Sequence, residues 1–152
     1  MIKKIVKLFL VLLWMVLIFS FSAQNAHQSG SMSNGFIVKF AELLIPGNLT
    51  EIEQQIVISH FSFIVRKTAH FTVYLILGIL VLSFLKEFSI KHIVIAAVII
   101  CCLYSISDEY HQTFVPGRSG EVRDVCIDTS GAFIGISLGE LVTNIIRKKK
   151  TE

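Results

Sequence analysis

The sequence predicts an all-α integral membrane protein, a four-helix bundle that forms a single domain over residues 1–152. Hydrophobic residues make up 53% of the chain and charged residues only 16%, and the mean hydropathy is +0.71. Four apolar segments, at about 5–23, 67–85, 90–108 and 127–146, each approach the ~20 residues that cross ~30 Å of hydrocarbon. A short amphipathic helix is expected in the outer segment between the first two spans.

The first apolar segment follows Lys3, Lys4 and Lys7, and a signal peptide begins in the same way. The apolar run is longer than a typical signal core, contains Trp14 and lacks a following Ala-x-Ala sequence. These features favour an uncleaved first helix, in which Lys7 snorkels to the membrane surface.

The segment between the first two spans opens with a polar stretch, residues 24–34, that is expected to be flexible. Apolar residues then recur at helical spacing, namely Phe36, Ile37, Phe40, Leu43 and Leu44. They predict an amphipathic helix that starts at Ser33 or Asn34 and stops at Pro46-Gly47. Thr50 and Glu53 have the spacing of a capping box, which begins a helix that runs into or stacks on the second span.

Polar residues of the second and third spans repeat at helical spacing. Arg66, His70 and Tyr74 are four residues apart and share one face of the second span, which should point towards the other helices. A second set shares a face of the third span if that helix continues to its last member: Tyr104, Asp108, His111 and Gln112. Glu109 is expected to point elsewhere, towards Arg118 or Arg123. Residues 115–118 predict a tight turn, since Pro116 fixes φ and Gly117 tolerates positive φ.

The fourth span carries a stripe of small residues. Gly131, Gly135 and Gly139 form two overlapping GxxxG steps, a pattern that lets another helix approach closely. Asp124 and Asp128 lie on roughly the same face, so both are expected to be buried in the bundle interior and paired. The same stripe is also a candidate contact for an oligomer.

The distribution of basic residues predicts the orientation. Nine of the 14 cations fall on the side of the N-terminus: Lys3, Lys4, Lys7, Lys86, Lys91, Arg147, Lys148, Lys149 and Lys150. Both termini are therefore expected to be cytoplasmic, with the polar cluster facing outward. The formal net charge of +3 follows from this topology, so no nucleic-acid partner is expected. Cys101, Cys102 and Cys126 lack a metal-type CxxC spacing and are interpreted as packed helix residues.

The polar residues near the outer end of the bundle are the candidate site. Its predicted ligand-binding residues are Arg66, His70, Tyr74, Asp108, Glu109, His111, Gln112, Arg118, Arg123, Asp124 and Asp128. The catalytic candidates among them are His70, Asp108, His111, Asp124 and Asp128. Three interpretations stay open: structural ion pairing, a pocket for an anionic lipid headgroup, and an enzyme that uses a metal or a general acid and base. Neither an HExxH sequence nor a recognised serine-nucleophile or phosphatase motif is present, and the identity of any metal or cofactor is open.

Several of these motifs together resemble the VanZ-like family of bacterial membrane proteins, named for a member associated with teicoplanin resistance. The similarity covers residues 18–139 and includes the segments 19–24, 66–74, 108–118 and 124–135. It implies an envelope protein of a few helices in the bacterial cell membrane. It also implies a role in reducing the susceptibility of the cell to glycopeptide or lipopeptide antibiotics. The expected partners are a membrane lipid and a lipid-linked cell-wall intermediate or a glycopeptide. The resemblance assigns no role to individual residues.

Overall fold

The computed structural model describes residues 1–45 and 49–149, and within these ranges the chain is helical without a strand. The helices are α1 (Ile2–Ser22), α2 (Ala26–Leu44), α3 (Glu51–Leu85), α4 (Ile93–Gln112) and α5 (Val122–Lys149). Helices α1, α3, α4 and α5 are long and apolar enough to cross a membrane. The predicted all-α class, with four spans and an amphipathic helix after the first, is confirmed.

Helix α3 runs without interruption from the capping box into the second span. The Thr50 backbone N–H donates to Glu53 Oε2 at 2.8 Å, and the Glu53 N–H donates to Thr50 Oγ1 at 3.4 Å. At 35 residues α3 is roughly 50 Å long, well beyond the hydrocarbon thickness of ~30 Å. Its first turns pack beside α2, where Ser62 Oγ donates to Asn34 Oδ1 at 3.4 Å.

Helix α2 begins earlier than the sequence predicted. The expected start at Ser33 or Asn34 and the expected flexible stretch before it are wrong, because the helix begins at Ala26. Asn25 caps it, with Oδ1 accepting from the Gln28 N–H at 2.8 Å. The Ala26 N–H donates to the Pro116 carbonyl at 3.3 Å, so tertiary contact fixes this start. The predicted stop at Pro46-Gly47 lies outside the described residues.

The glycine stripe of α5 lies against α3 of the same chain. A Cβ at Gly131 or Gly135 would collide with the backbone of Phe71 or Leu75. The approach is matched from the other side, since a Cβ at Gly78 would collide with the backbone of Ala132. This packing confirms that Asp124 and Asp128 point into the bundle, with 6% and 0% of their surfaces exposed. The predicted oligomer contact through the stripe stays a prediction.

Charged pairs mark one end of the bundle, which we call the basic end and define by Lys7, Lys86, Glu87 and Glu140. Lys7 Nζ lies 2.5 Å from Glu87 Oε1, which joins the start of α1 to the residues after α3. Lys86 Nζ lies 2.8 Å from Glu140 Oε2, which joins α3 to α5. Lys7 lowers the pKa of Glu87 through this contact. Lys150 of the predicted basic run lies outside the described residues.

Side-chain bonds to backbone carbonyls hold α1 against the other helices midway along the bundle. Trp14 Nε1 donates to the Val73 carbonyl at 2.9 Å, and the Tyr104 hydroxyl donates to the Met15 carbonyl at 2.6 Å. Both donors would be costly to leave unpaired in a bilayer. The end of the bundle opposite the basic end is called the pocket end, and it contains Arg66, His70, Asp108, Arg118 and Asp128.

Candidate functional site

The pocket end brings together side chains from three helices and one turn. They come from α3 (Arg66, Lys67, His70 and Tyr74), from α4 (Ser105, Asp108, Glu109 and Gln112), from the 115–118 turn (Arg118) and from α5 (Asp124 and Asp128). Helix α4 does extend to Gln112, as the shared polar face required.

His70 and Asp128 form the centre of the pocket end. His70 Nδ1 lies 3.3 Å from Asp128 Oδ1, and Ser105 Oγ donates to Asp128 Oδ2 at 2.9 Å. The Asp128 side chain is fully buried and that of His70 is 15% exposed. A carboxylate held in this way fixes the orientation of the imidazole ring. Ser105 was not predicted, although it lies one turn before Asp108 on the same polar face.

Glu109 does not point towards Arg118 or Arg123, so that prediction is wrong. Its side chain turns inward, with 4% of the residue exposed, and Oε1 accepts from Gln112 Nε2 at 2.9 Å. Oε2 accepts from the Glu121 backbone N–H at 3.0 Å. The chain after the turn folds back over α4 so closely that a Cβ at Gly120 would collide with the Glu109 carbonyl. This return path supplies the donor that the sequence pattern did not reveal.

Asp124 is paired with a lysine that the predicted ligand-binding set did not contain. Lys67 Nζ lies 2.5 Å from Asp124 Oδ1 and 3.6 Å from Glu121 Oε2. Arg123 Nη2 donates to Glu121 Oε2 at 2.7 Å, and its guanidinium lies over the Phe63 ring. Arg123, and then Lys67, lower the pKa of Glu121. Arg123 is exposed and lines neither of the cavities described below.

Arg118 fastens the turn to the end of α1. The Arg118 N–H donates to the Val115 carbonyl at 3.1 Å and Gly117 has a φ of 75°, as the predicted turn requires. Arg118 Nη1 donates to the Ser22 carbonyl at 2.8 Å, and it approaches two further carbonyls of this segment at 3.4 Å. A cation is favoured at the C-terminal end of a helix. Burial, and after it the positive charge of Arg66, lower the pKa of Arg118.

Two adjoining cavities open at the pocket end. The larger has a volume of about 250 Å³ and is lined by apolar side chains with a few polar ones, including Ile18, Phe21, Met32, Val73, Tyr74 and Asp108. The smaller has a volume of about 100 Å³ and is lined mainly by polar residues, including Lys67, Gln112, Ser119, Glu121 and Asp124. Both cavities are lined by Ser29, Arg66, His70 and Arg118. The contribution of Ser29 was missed because the start of α2 was misplaced.

Several buried polar atoms at this end have no hydrogen-bond partner within the described residues. They are Ser22 Oγ, Tyr74 Oη, Asp108 Oδ1 and His111 Nδ1. The first three belong to residues that line the larger cavity. His111 lines neither cavity, and its ring packs on Phe19 with centroids 4.4 Å apart. The structure thus places His111, like Arg123, outside both cavities.

A match to a protein-family model identifies the family of this chain. A family model described as VanZ/LLP1 matches residues 7–143. The chain belongs to the VanZ/LLP1 family. The family match and the four apolar helices together support a VanZ-like multi-pass membrane protein. Neither the curated proteins nor the solved structures that were searched contain a match. The roles of the individual VanZ/LLP1 site residues stay predictions.

Proposed function

We propose that this VanZ/LLP1 protein binds the phosphate headgroup of an anionic envelope lipid or lipid-linked cell-wall intermediate, and thereby lowers susceptibility to glycopeptide or lipopeptide antibiotics. One observation carries the proposal: Arg66 and Arg118 line both an apolar cavity of about 250 Å³ and a polar cavity of about 100 Å³. An amphiphile needs this combination, because its chain requires apolar space and its headgroup requires cationic donors.

The charge on Arg66 is available to a ligand. Within residues 1–45 and 49–149 Arg66 has neither a hydrogen bond nor an ion pair, whereas Arg118 already donates to the carbonyls at the end of α1. The two guanidinium groups are close enough for Arg66 to lower the pKa of Arg118. An anion bound beside both would offset this repulsion, so the charge pattern favours a phosphate ligand.

The test is lipid mass spectrometry on the full chain purified in detergent, with Arg66→Gln beside Arg123→Gln. Arg123 is the matched control, since it is a neighbouring arginine that lines neither cavity. We expect a phosphate-bearing lipid to co-purify with the wild type and the control, and to fall at least about tenfold in Arg66→Gln, because a hydrogen bond to a charged group contributes ~1.5–3 kcal/mol. Folded wild type without an enriched lipid, or equal lipid in both variants, would refute the binding function.

The same pair of variants tests the antibiotic phenotype. Cells that express the wild type or Arg123→Gln should tolerate more teicoplanin than cells that express Arg66→Gln at the same membrane level. Equal inhibitory concentrations for all three would separate lipid binding from resistance and overturn the second half of the proposal.

The His70–Asp128 pair favours a second function, a membrane enzyme that hydrolyses the bound phosphate ester. Asp128 orients the ring, and His70 lines both cavities, where it would take a proton from the attacking water. Purified protein would be incubated with a phosphatidic acid or a polyprenyl diphosphate, and released inorganic phosphate would be measured. Turnover lost in His70→Gln with lipid binding retained supports the enzyme, and lack of turnover by the wild type contradicts it.

The orientation is part of the proposal: both termini lie in the cytoplasm of a bacterial cell and the pocket end faces outward. The lysines of the basic end support it, because cytoplasmic flanks are rich in Lys and Arg. In a cysteine-free background, Ser119→Cys should react with a membrane-impermeant maleimide on intact cells and Lys3→Cys should not. The reverse labelling pattern would invert the topology.

A further inference from the structure

Within residues 1–45 and 49–149, three buried carboxylates at the pocket end have neither a lysine nor an arginine within ion-pair distance. Asp108, Glu109 and Asp128 are 3%, 4% and 0% exposed. Glu109 and Asp108 share Gln112 Nε2 as a donor, Glu109 also accepts from the Glu121 N–H, and Asp128 has a serine hydroxyl and the His70 ring. Burying carboxylate charges without compensation is costly in a protein interior and in a membrane.

Two neighbouring cations, Lys67 and Arg118, are engaged elsewhere, and no described contact joins the third, Arg66, to a carboxylate. The described contacts of the Lys67 ammonium are with Asp124, Glu121 and the Phe63 ring, and those of the Arg118 side chain are with α1 carbonyls. Of the three buried carboxylates, only Asp128 has an ionisable donor among its described contacts, the His70 ring. A bound cation would restore the balance without moving either basic side chain.

The geometry places suitable ligand atoms together. One ligand atom each from His70, Glu109 and Asp128 can be chosen so that all three lie within 4.8 Å of one another. Ligand atoms on a metal at ~2.0–2.2 Å are roughly 3–4 Å apart, so modest side-chain rotations would complete the coordination. An imidazole nitrogen with two carboxylate oxygens is a donor set for a divalent transition ion such as Zn²⁺ or Mn²⁺.

A separate observation points to a ligand beside this cluster. Asp108 lines the same cavity as His70 and is 3% exposed, and its Oδ1 forms no hydrogen bond among the described residues, although the Ser22 hydroxyl lies near this carboxylate. Tyr74, fully buried, leaves its hydroxyl unpaired in the same cavity. A water on a metal ion donates two hydrogen bonds, and the Asp108 carboxylate and the Tyr74 hydroxyl oxygen can each accept one.

We propose that His70, Glu109 and Asp128 bind one divalent transition-metal ion, with Asp108 accepting a hydrogen bond from water on that ion. The site does not depend on lipid. If the proposed lipid also binds, the ion adds positive charge beside His70, which lines both cavities together with Arg66.

The test uses the full chain in lipid-free detergent, first dialysed against a chelator and then titrated with Zn²⁺ or with Mn²⁺. Bound metal per chain is measured by mass spectrometry, Mn²⁺ by its electron paramagnetic resonance, and stability by the thermal midpoint. We expect one ion per chain and a rise in the thermal midpoint. Glu109→Gln and Asp128→Asn should bind at least about tenfold more weakly, the lower end of the effect of losing even an indirect metal contact.

Glu87→Gln is the control, because it removes a carboxylate at the basic end and should bind the ion as the wild type does. Arg66→Gln should also retain the ion although it loses lipid, which separates failure of this site from failure of lipid binding. If Glu109→Gln does not fold, Asp108→Asn provides the readout through a weaker response to the ion. Lack of metal binding by folded wild type, or an unchanged response in folded Glu109→Gln or Asp128→Asn, would overturn the proposal.

Discussion

The carboxylates at the two ends of the bundle differ in their burial and in their basic partners. Among the described residues, the acidic side chains of the basic end, Glu87 and Glu140, are 24% and 34% exposed, and each has a lysine within 2.8 Å. At the pocket end Asp124 has Lys67, but three more deeply buried carboxylates have neither a lysine nor an arginine partner in the part of the chain that the structure describes. Exposed pairs contribute little to stability, whereas buried groups depend strongly on their partners. The basic end is therefore suited to anchoring and the pocket end to binding.

The largest expected effect comes from forcing α3 and α5 apart, because Lys67–Asp124 at the pocket end and Lys86–Glu140 at the basic end both join these two helices. Gly135→Leu places a side chain against the Leu75 backbone, which cannot yield easily, so the cost should exceed the ~1–3 kcal/mol of ordinary overpacking and abolish the folded state in detergent. Gly35→Leu is the matched control, since a Cβ there meets nothing within 4 Å. Size-exclusion profiles and thermal midpoints measure both. A folded Gly135→Leu protein would show that the packing is looser than described.

Removing one lysine from each end tests the comparison directly. Lys67→Met leaves Asp124 buried without its ammonium partner and should destabilise the chain by ~3–5 kcal/mol. Lys7→Met removes the partner of the more exposed Glu87 and should change stability much less. Denaturant or thermal unfolding of both variants gives the difference. Equal losses would show that burial does not distinguish the two ends.

The smallest expected effect is the pH dependence of the basic end. Since Lys7 lowers the pKa of Glu87, ionised Glu87 stabilises the fold above the ordinary glutamate pKa of about 4.3. This contribution is lost as the pH falls through the lower folded-state pKa. The difference in thermal midpoint between wild type and Glu87→Gln should be constant from about pH 7 to 5 and shrink below about pH 4. A difference that changes between pH 7 and 6 would contradict the assignment.

Much of the fold could be predicted from local patterns. The capping box at Thr50 and Glu53, the turn at Gly117 and the face shared by Gly131 and Asp128 all depend on spacing along one segment. The misplaced start of α2 has a different origin. Its first residue is fixed by the carbonyl of Pro116, which is distant in sequence, and the polar composition of residues 26–34 gives no sign of that contact.

The candidate site shows the same division. The sequence assembled His70, Asp108 and Asp128 as neighbours, but the structure turned Glu109 inward to the Glu121 N–H and left Arg123 outside both cavities. It also assigned Lys67 to Asp124 and Arg118 to the end of α1. Arg118 and Arg123 look alike in sequence, but Arg118 lines both cavities and Arg123 lines neither.

The sequence by itself determined the membrane class, the four spans, the polar faces and the family resemblance, because hydrophobic length and helical periodicity are local properties of the chain. Only the tertiary structure decided which charges are paired, since a lysine and a carboxylate 57 residues apart meet through the packing of α3 on α5. The packing of α1, α2 and α4 around α3 likewise formed the larger cavity, which Arg66 and Asp108 line. Pairing depends on distances between helices, and no spacing within one helix encodes them.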